Sequence, residues 1–161
     1  MKHLALILFG LVALTSPAKA LDAPDATPPT LSAVSKTYAT LGDVIASTMN
    51  QLVPVMKANA GYTWRIDGPI IVTYDHTSAK LVVSAYGDPD PAVGASTGSV
   101  DRAKTALEYF RGKAFPMIAA CIGQNYGVGL NDSDLTLVYF NRRTMKEVIR
   151  REGTKYLVSS E

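Results

Sequence analysis

IIVTYDHTSAKLVVSAY, residues 70–86, is the stretch that decides the fold. Its two arms, Ile70 to Tyr74 and Lys80 to Tyr86, are dominated by β-branched and aromatic residues, which suit a pleated, half-buried surface. The polar break between them, Asp75-His76-Thr77-Ser78-Ala79, is short enough for a hairpin turn. Two antiparallel strands, neighbours in sequence and in space, are therefore predicted.

Upstream of the hairpin, Leu41, Val44, Ile45, Met49, Leu52, Val55 and Met56 recur at the spacing of one helix face. A first helix is predicted over 41–57, with Asn59-Ala60-Gly61 as its stop and Pro54 kinking or shortening it. The weak alternation of LSAVSKTY (31–38) predicts an edge strand. Downstream, GDPDPAVGASTG (87–98) is a loop composition. A second helix follows Ser99 as N-cap, with Asp101 near its positive end. Its apolar face reads Ala103, Leu107, Phe110, Ala114, Met117 or Ile118, and Cys121, with Pro116 predicting a bend and Gly123 its end. Leu135 to Phe140 is the next strand, introduced by the turn Asn131-Asp132-Ser133. RRTMKEVIRREG (142–153) predicts a short basic helix with Met145, Val148 and Ile149 inward, and Lys155 to Val158 a last edge strand. The fold class is α+β, an antiparallel sheet packed against two main helices.

At an offset of 66, Val34 falls on Val100, Leu41 on Leu107, Asn59 on Asn125, Gly61 on Gly127, Val72 on Val138 and Asp75 on Asn141. The order of elements repeats with them. A duplicated strand–helix–strand–strand unit accounts for this pattern, and a single unrepeated α+β sandwich is the alternative.

The segment from Tyr38 to Asp75, with LGDVIASTMNQLVPVMKANAG leading into DGPIIVTYDH, resembles the first half of the GyrI-like, or AraC-type effector-binding, domains. In those domains a helix precedes Gly-Pro-(apolar)-x-Tyr at the start of a hairpin, and the unit occurs twice. The matching residues are Gly68, Pro69 and Tyr74, with Tyr139 and Asn141 at the equivalent place in the second half. The second half departs from the pattern, with Thr97-Gly98-Ser99 in place of the Gly-Pro-Tyr segment. Glu152 is the nearest candidate for the acidic residue those domains often place in their cleft. The resemblance implies a cleft between two half-domains that accepts a small, partly apolar ligand.

The N-terminus reads as a secretory signal. Lys2 supplies the positive region, Leu4 to Leu14 (LALILFGLVAL) the apolar core, and Ala18-Lys19-Ala20 the small-x-small cleavage site. The apolar run falls well short of the roughly 20 residues a membrane span requires. Leu21 follows the site, where lipoprotein processing would need a cysteine. Cleavage after Ala20 is predicted, giving a periplasmic or secreted product. Residues 21–30 then form an extended Pro-rich leader, and 31–161 a single domain. Of the 16 Lys and Arg residues, Lys2 and Lys19 leave with the signal, so the remainder balances 14 against 14 Asp and Glu. A neutral domain has no overall field to gather nucleic acid. One cysteine, Cys121, allows no internal disulfide.

Composition also narrows the chemistry. With His3 in the signal, His76 is the one histidine of the remaining chain, which puts a metal site of several His or Cys ligands out of reach. Asp88 and Asp90 share a Gly/Pro-rich loop and read as a solvated turn rather than a calcium loop. GQNYGVG (123–129) follows a helix and opens a strand, the reverse of a phosphate cradle, so no cofactor is expected. No G-x-S-x-G elbow accompanies His76, which reads as an exposed hairpin-tip histidine, and Cys121 reads as a small buried hydrophobe. Arg142, Arg143, Lys146, Arg150 and Arg151 form the one concentration of charge, a solvated face or a peripheral contact for an anionic surface. Strand-borne aromatics are ordinarily core. Where they line a cleft instead, the candidate ligand-binding set is Trp64, Arg65, Tyr74, His76, Tyr86 and Tyr139. Two functions follow: an exported, soluble, non-enzymatic module that binds a small molecule or a periplasmic protein, or a small secreted hydrolase or thiol-dependent enzyme using His76 or Cys121.

Overall fold

The hairpin forms as its sequence predicts. Strands β1 (Ile70–Asp75) and β2 (Lys80–Gly87) pair antiparallel, with Val72 opposite Val83 and Tyr74 opposite Leu81. The computed structural model describes residues 28–35, 40–60, 66–88 and 98–159. The signal segment, most of the leader, Trp64, Arg65 and Asp90 lie outside them.

Three further strands, β3 (Leu135–Asn141), β4 (Glu147–Glu152) and β5 (Lys155–Val158), complete a five-stranded sheet in the order β1-β2-β3-β4-β5. The α+β class holds, with two main helices on the sheet: α2 (Leu41–Ala60) and the long helix that runs from Ser99 to Tyr126. Three of the four strand pairings are antiparallel, and β2–β3 is parallel. A helical crossover joins those two strands, which is the connection a parallel pair needs.

The face toward the helices carries Val72, Leu81, Val83, Ala85, Leu135, Leu137, Tyr139 and Ile149, all buried in one cluster with Ile45, Met49 and Val53 of α2 and with Leu107, Phe110, Ile118 and Ile122. Burial of this apolar surface is the main stabilising contribution, on the order of 25 cal/mol per Å². The other face carries Ile71, Tyr86, Phe140, Arg150 and Leu157, with Tyr86 and Phe140 stacked at 5.1 Å.

The order helix, strand, strand occurs twice, and the offset of 66 carries the C-terminal ends of α2, β1 and β2 to within one residue of those of the later helix, β3 and β4. The correspondence stops at element order. Val72 faces the helices, whereas Val138 at the matching position is buried on the opposite face, outside the core cluster. With the helices on one face and β2 parallel to β3, the second hairpin runs the other way along the sheet. The two units thus have opposite hands, and no rotation superposes them.

Several expectations are corrected. Leu31–Ser35 is a short helix, α1, not an edge strand, and its Leu31 is fully buried. Pro54 does not shorten α2, which continues to Ala60. The second long helix begins as α3 (Ser99–Tyr109) with Gly98 rather than Ser99 as N-cap. It passes through a π-turn at Phe110–Ala114 and continues as α4 (Phe115–Tyr126). Proline lacks the N–H of a helix interior and clashes with the carbonyl four residues back. Ahead of Pro116 the Phe115 N–H donates to the Phe110 carbonyl, five residues back, so the wider turn accommodates the proline. The extra residue rotates the buried stripe, which continues through Ile118 and Ile122 and leaves Met117 exposed and Cys121 half-buried. The helix ends at Gly127, in the left-handed conformation with φ 65°, rather than at Gly123.

The basic segment 142–153 is not a helix. Asn141 Oδ1 accepts from the backbone N–H of Arg143 and Thr144, and the Met145 N–H donates to the Asn141 carbonyl, which builds a tight turn into β4. Ile149 and Arg151 then point to the helices while Arg150 points away, the period of a strand.

Candidate functional site

Of the sequence-named residues, Tyr74 and His76 come together at the hairpin end of the sheet. Their rings meet edge to face at 4.9 Å, and the Tyr74 ring lies against Gly42 at the start of α2. His76 Nε2 sits 3.0 Å from Asp43 Oδ2, with both side chains more than half exposed. Asp75 turns the other way, accepting from the Thr77 N–H and the Ser78 hydroxyl, and these bonds hold its carboxyl below the usual range. Tyr86 and Tyr139 lie at the opposite end of the sheet and on opposite faces of it. Tyr139 is buried, and burial, followed by the nearby Asp67 and Asp88 charges, pushes its phenol up to about 12 against the opposing pull of Arg102 and Arg142. Cys121 sits on α4 beside Asn125, whose amide donates to the Cys121 carbonyl and lies 3.4 Å from its Sγ. His76 and Cys121 therefore work against different neighbours.

Each arginine of the basic segment pairs with acidic side chains. Arg142 pairs with Asp67 at 3.2 Å, Arg143 with Asp88, and Arg150 with Glu147 at 2.8 Å. Arg151 is the buried one. Its guanidinium grips Asp132 with two hydrogen bonds of 2.7 and 3.2 Å and lies 3.5 Å from Glu108. Glu108 also accepts from Arg111 at 2.8 Å and from the Tyr156 hydroxyl. Burial works to raise the Glu108 pKa, but the Tyr156 and Arg111 hydrogen bonds and the charges of Arg111 and Arg151 outweigh it, leaving the carboxyl below its ordinary value. This network ties α3, the 131–134 turn, β4 and β5 into one unit, and every member has a partner within the protein.

A different place has the form of a ligand seat. An open groove of about 920 Å³ runs between the C-terminal half of α2 and the segment entering β1, lined by Val53, Pro54, Lys57, Ala58, Gly68, Pro69 and Ile70, with Asp67 and Arg142 at its rim. Pockets that hold small molecules span roughly 300–1,000 Å³ and combine apolar walls with a few fixed polar groups. Local sequence sets each part. Lys57 lies in the last turn of α2, favoured there by the helix dipole, and its Nζ donates to the Gly68 carbonyl at 2.6 Å. Burial lowers the Lys57 pKa, with Asp67 partly offsetting it. Asp67 is fixed on both oxygens, Oδ1 accepting from the Asp88 N–H at 3.0 Å and Oδ2 facing Arg142. Gly68 is closely approached by the Tyr86 backbone, where a Cβ would lie 2.3 Å from the carbonyl oxygen.

Sequence reasoning missed Lys57, Asp67 and Pro54 as site residues, though it marked Gly68 and Pro69. The available signal was Pro54, which breaks a local rule inside a helix and lines the groove. Among the described residues no group of three His, Cys, Asp or Glu side chains is placed to hold a metal ion, and no helix is long and apolar enough to cross a membrane. Compared with protein-family models, with curated proteins and with solved structures, the chain matches none.

Proposed function

We propose that the protein is an exported, soluble, non-enzymatic binding module that seats a small, partly apolar molecule in the groove beside α2. The observation that carries this reading is the groove itself, with an apolar wall from Val53, Pro54, Pro69 and Ile70 and two cations and one carboxylate fixed at its rim. The GyrI-like resemblance points the same way, since its Gly68-Pro69 lines this groove and Arg142 reaches it from the second half of the chain. Export rests on the N-terminal pattern of Lys2, Leu4 to Leu14 and Ala18-Lys19-Ala20. The pairing of His76 with Asp43 and the placement of Cys121 beside Asn125 favour the non-enzymatic reading over the alternative, an enzyme using His76 or Cys121. Native mass spectrometry of the protein purified from its own cell envelope or medium tests the proposal. A retained small molecule, released on denaturation, is the expected result. A ligand-free protein whose melting temperature is also unmoved across a panel of organic acids, alcohols and amines would overturn it.

A further inference from the structure

The charges around the groove specify what kind of small molecule fits it. Among the described residues, two cationic side chains, Lys57 and Arg142, reach it, with one carboxylate, Asp67. That carboxylate is already committed to the Asp88 N–H and to Arg142. An ammonium carries three N–H donors and a guanidinium five, so each can donate to a further anionic partner, the guanidinium in a bidentate manner. Lys57 is held by the Gly68 carbonyl, so its charge stands at a defined place and not at the end of a swinging chain. Beside it, Val53, Pro54, Pro69 and Ile70 offer apolar surface without a matching polar group.

Resting on the proposal that this groove is the binding seat, we infer that its ligand is a small amphipathic carboxylate, with the carboxylate between Lys57 and Arg142 and an apolar body along Val53, Pro54, Pro69 and Ile70. A cationic ligand would have to compete with Arg142 for Asp67, whereas Lys57 is held by a neutral carbonyl and offers its charge to an anion. A neutral one would leave the cation excess unanswered. A multiply charged anion would set further charge against the apolar wall of Val53, Pro54, Pro69 and Ile70. Burial disfavours the charged form of Lys57, and an incoming carboxylate would restore what desolvation removes.

Two-dimensional 15N–1H NMR titration of the purified protein with octanoate, octanol and octylammonium separates the two claims. Octanoate is expected to move the Lys57, Gly68 and Ile70 amide resonances, with an affinity at least about tenfold above that of octanol, as a charge-assisted contact provides. Lys57→Met, which keeps the length of the side chain, is expected to remove that difference. Arg142→Gln is a second variant on another element, expected to reduce it, so the test survives if either protein fails to fold. Equal binding of octanoate and octanol at the groove would overturn the carboxylate assignment and leave the seat standing. Preferential binding of octylammonium would overturn it too, with Asp67 as the anchor. If none of the three moves the groove resonances, both the assignment and the seat fail.

Discussion

Tyr139 shows at the scale of one residue how a strand aromatic becomes structural. Its hydroxyl is packed so closely on Gly87 that a Cβ there would lie 2.0 Å from the phenol oxygen and 2.9 Å from Asp67 Oδ1. Gly87→Ala is therefore expected to destabilise the protein by about 1–3 kcal/mol, the usual cost of overpacking. The cost should be smaller in a Tyr139→Phe background, measured as a double-mutant cycle by urea denaturation. Additive effects would show that the glycine is held by something other than the tyrosine. Arg151 presents a similar lesson. In the sequence it is one of five basic residues in a row of charges, and in the fold it is buried against Asp132. Charge spacing cannot distinguish the two, because the partner is 19 residues away and arrives only when β4 pairs with β3. The same holds for Asn50, whose amide both donates to and accepts from the backbone of Val72 and so occupies the outer edge of β1.

Elements were legible where one period ran unopposed. The 70–86 hairpin, α2 and β3 lie where alternation and helical spacing put them. The basic segment was misread because Met145, Val148 and Ile149 fit a helix face as well as the alternation of Ile149 and Arg151 fits a strand, and the Asn141 side chain, by building a turn, decides between them. The stripe of the second long helix holds through Ala114 and Ile118 and departs from its predicted course at Cys121, where Ile122 takes the buried place beyond the π-turn. Pro54 gives a prediction at this scale. A proline inside a helix sacrifices a backbone hydrogen bond, and its exposed position in α2 adds no compensating burial. Pro54→Ala should raise stability by about 1–3 kcal/mol and weaken ligand retention, and an unchanged or lower denaturation midpoint would contradict this. The joints between elements set the acid response. Glu108, where α3 meets β4 and β5, and Glu147, paired with Arg150, both titrate below their ordinary values. Groups depressed in the fold contribute stability that is present above their unfolded pKa and lost as pH falls through the folded one. Asp134, raised by burial, acts in the opposite sense, its contribution being lost as pH rises. Urea midpoints should thus fall from roughly pH 5 to pH 3, and Glu108→Gln should flatten that fall. A parallel displacement of the whole curve would assign the acid response to other groups.

For the whole molecule, the sequence made the α+β class and the two helices readable, while the parallel β2–β3 pairing was not. Strand order depends on where the crossover helix lays the chain, a long-range outcome that no local pattern encodes. The opposite hands of the two helix–hairpin units likewise follow from that crossover, although their element spacing looks like a repeat. Of the candidate site, Gly68 and Pro69 could be read in advance, but their meeting with Lys57, Asp67 and Arg142 could not, because these come from separate segments. The proposed export predicts an N-terminus at Leu21 in protein recovered from the envelope or medium, and intact-mass analysis that finds Met1 retained there would refute cleavage. The central claim is that the groove beside α2 holds the ligand. Ala58 is exposed on the groove wall, so Ala58→Trp fills the groove without touching the core. Native mass spectrometry of both proteins recovered from the same host should find a bound small molecule on the wild type and none on Ala58→Trp at equal thermal stability. An equal amount on both proteins, or none on either, would contradict it.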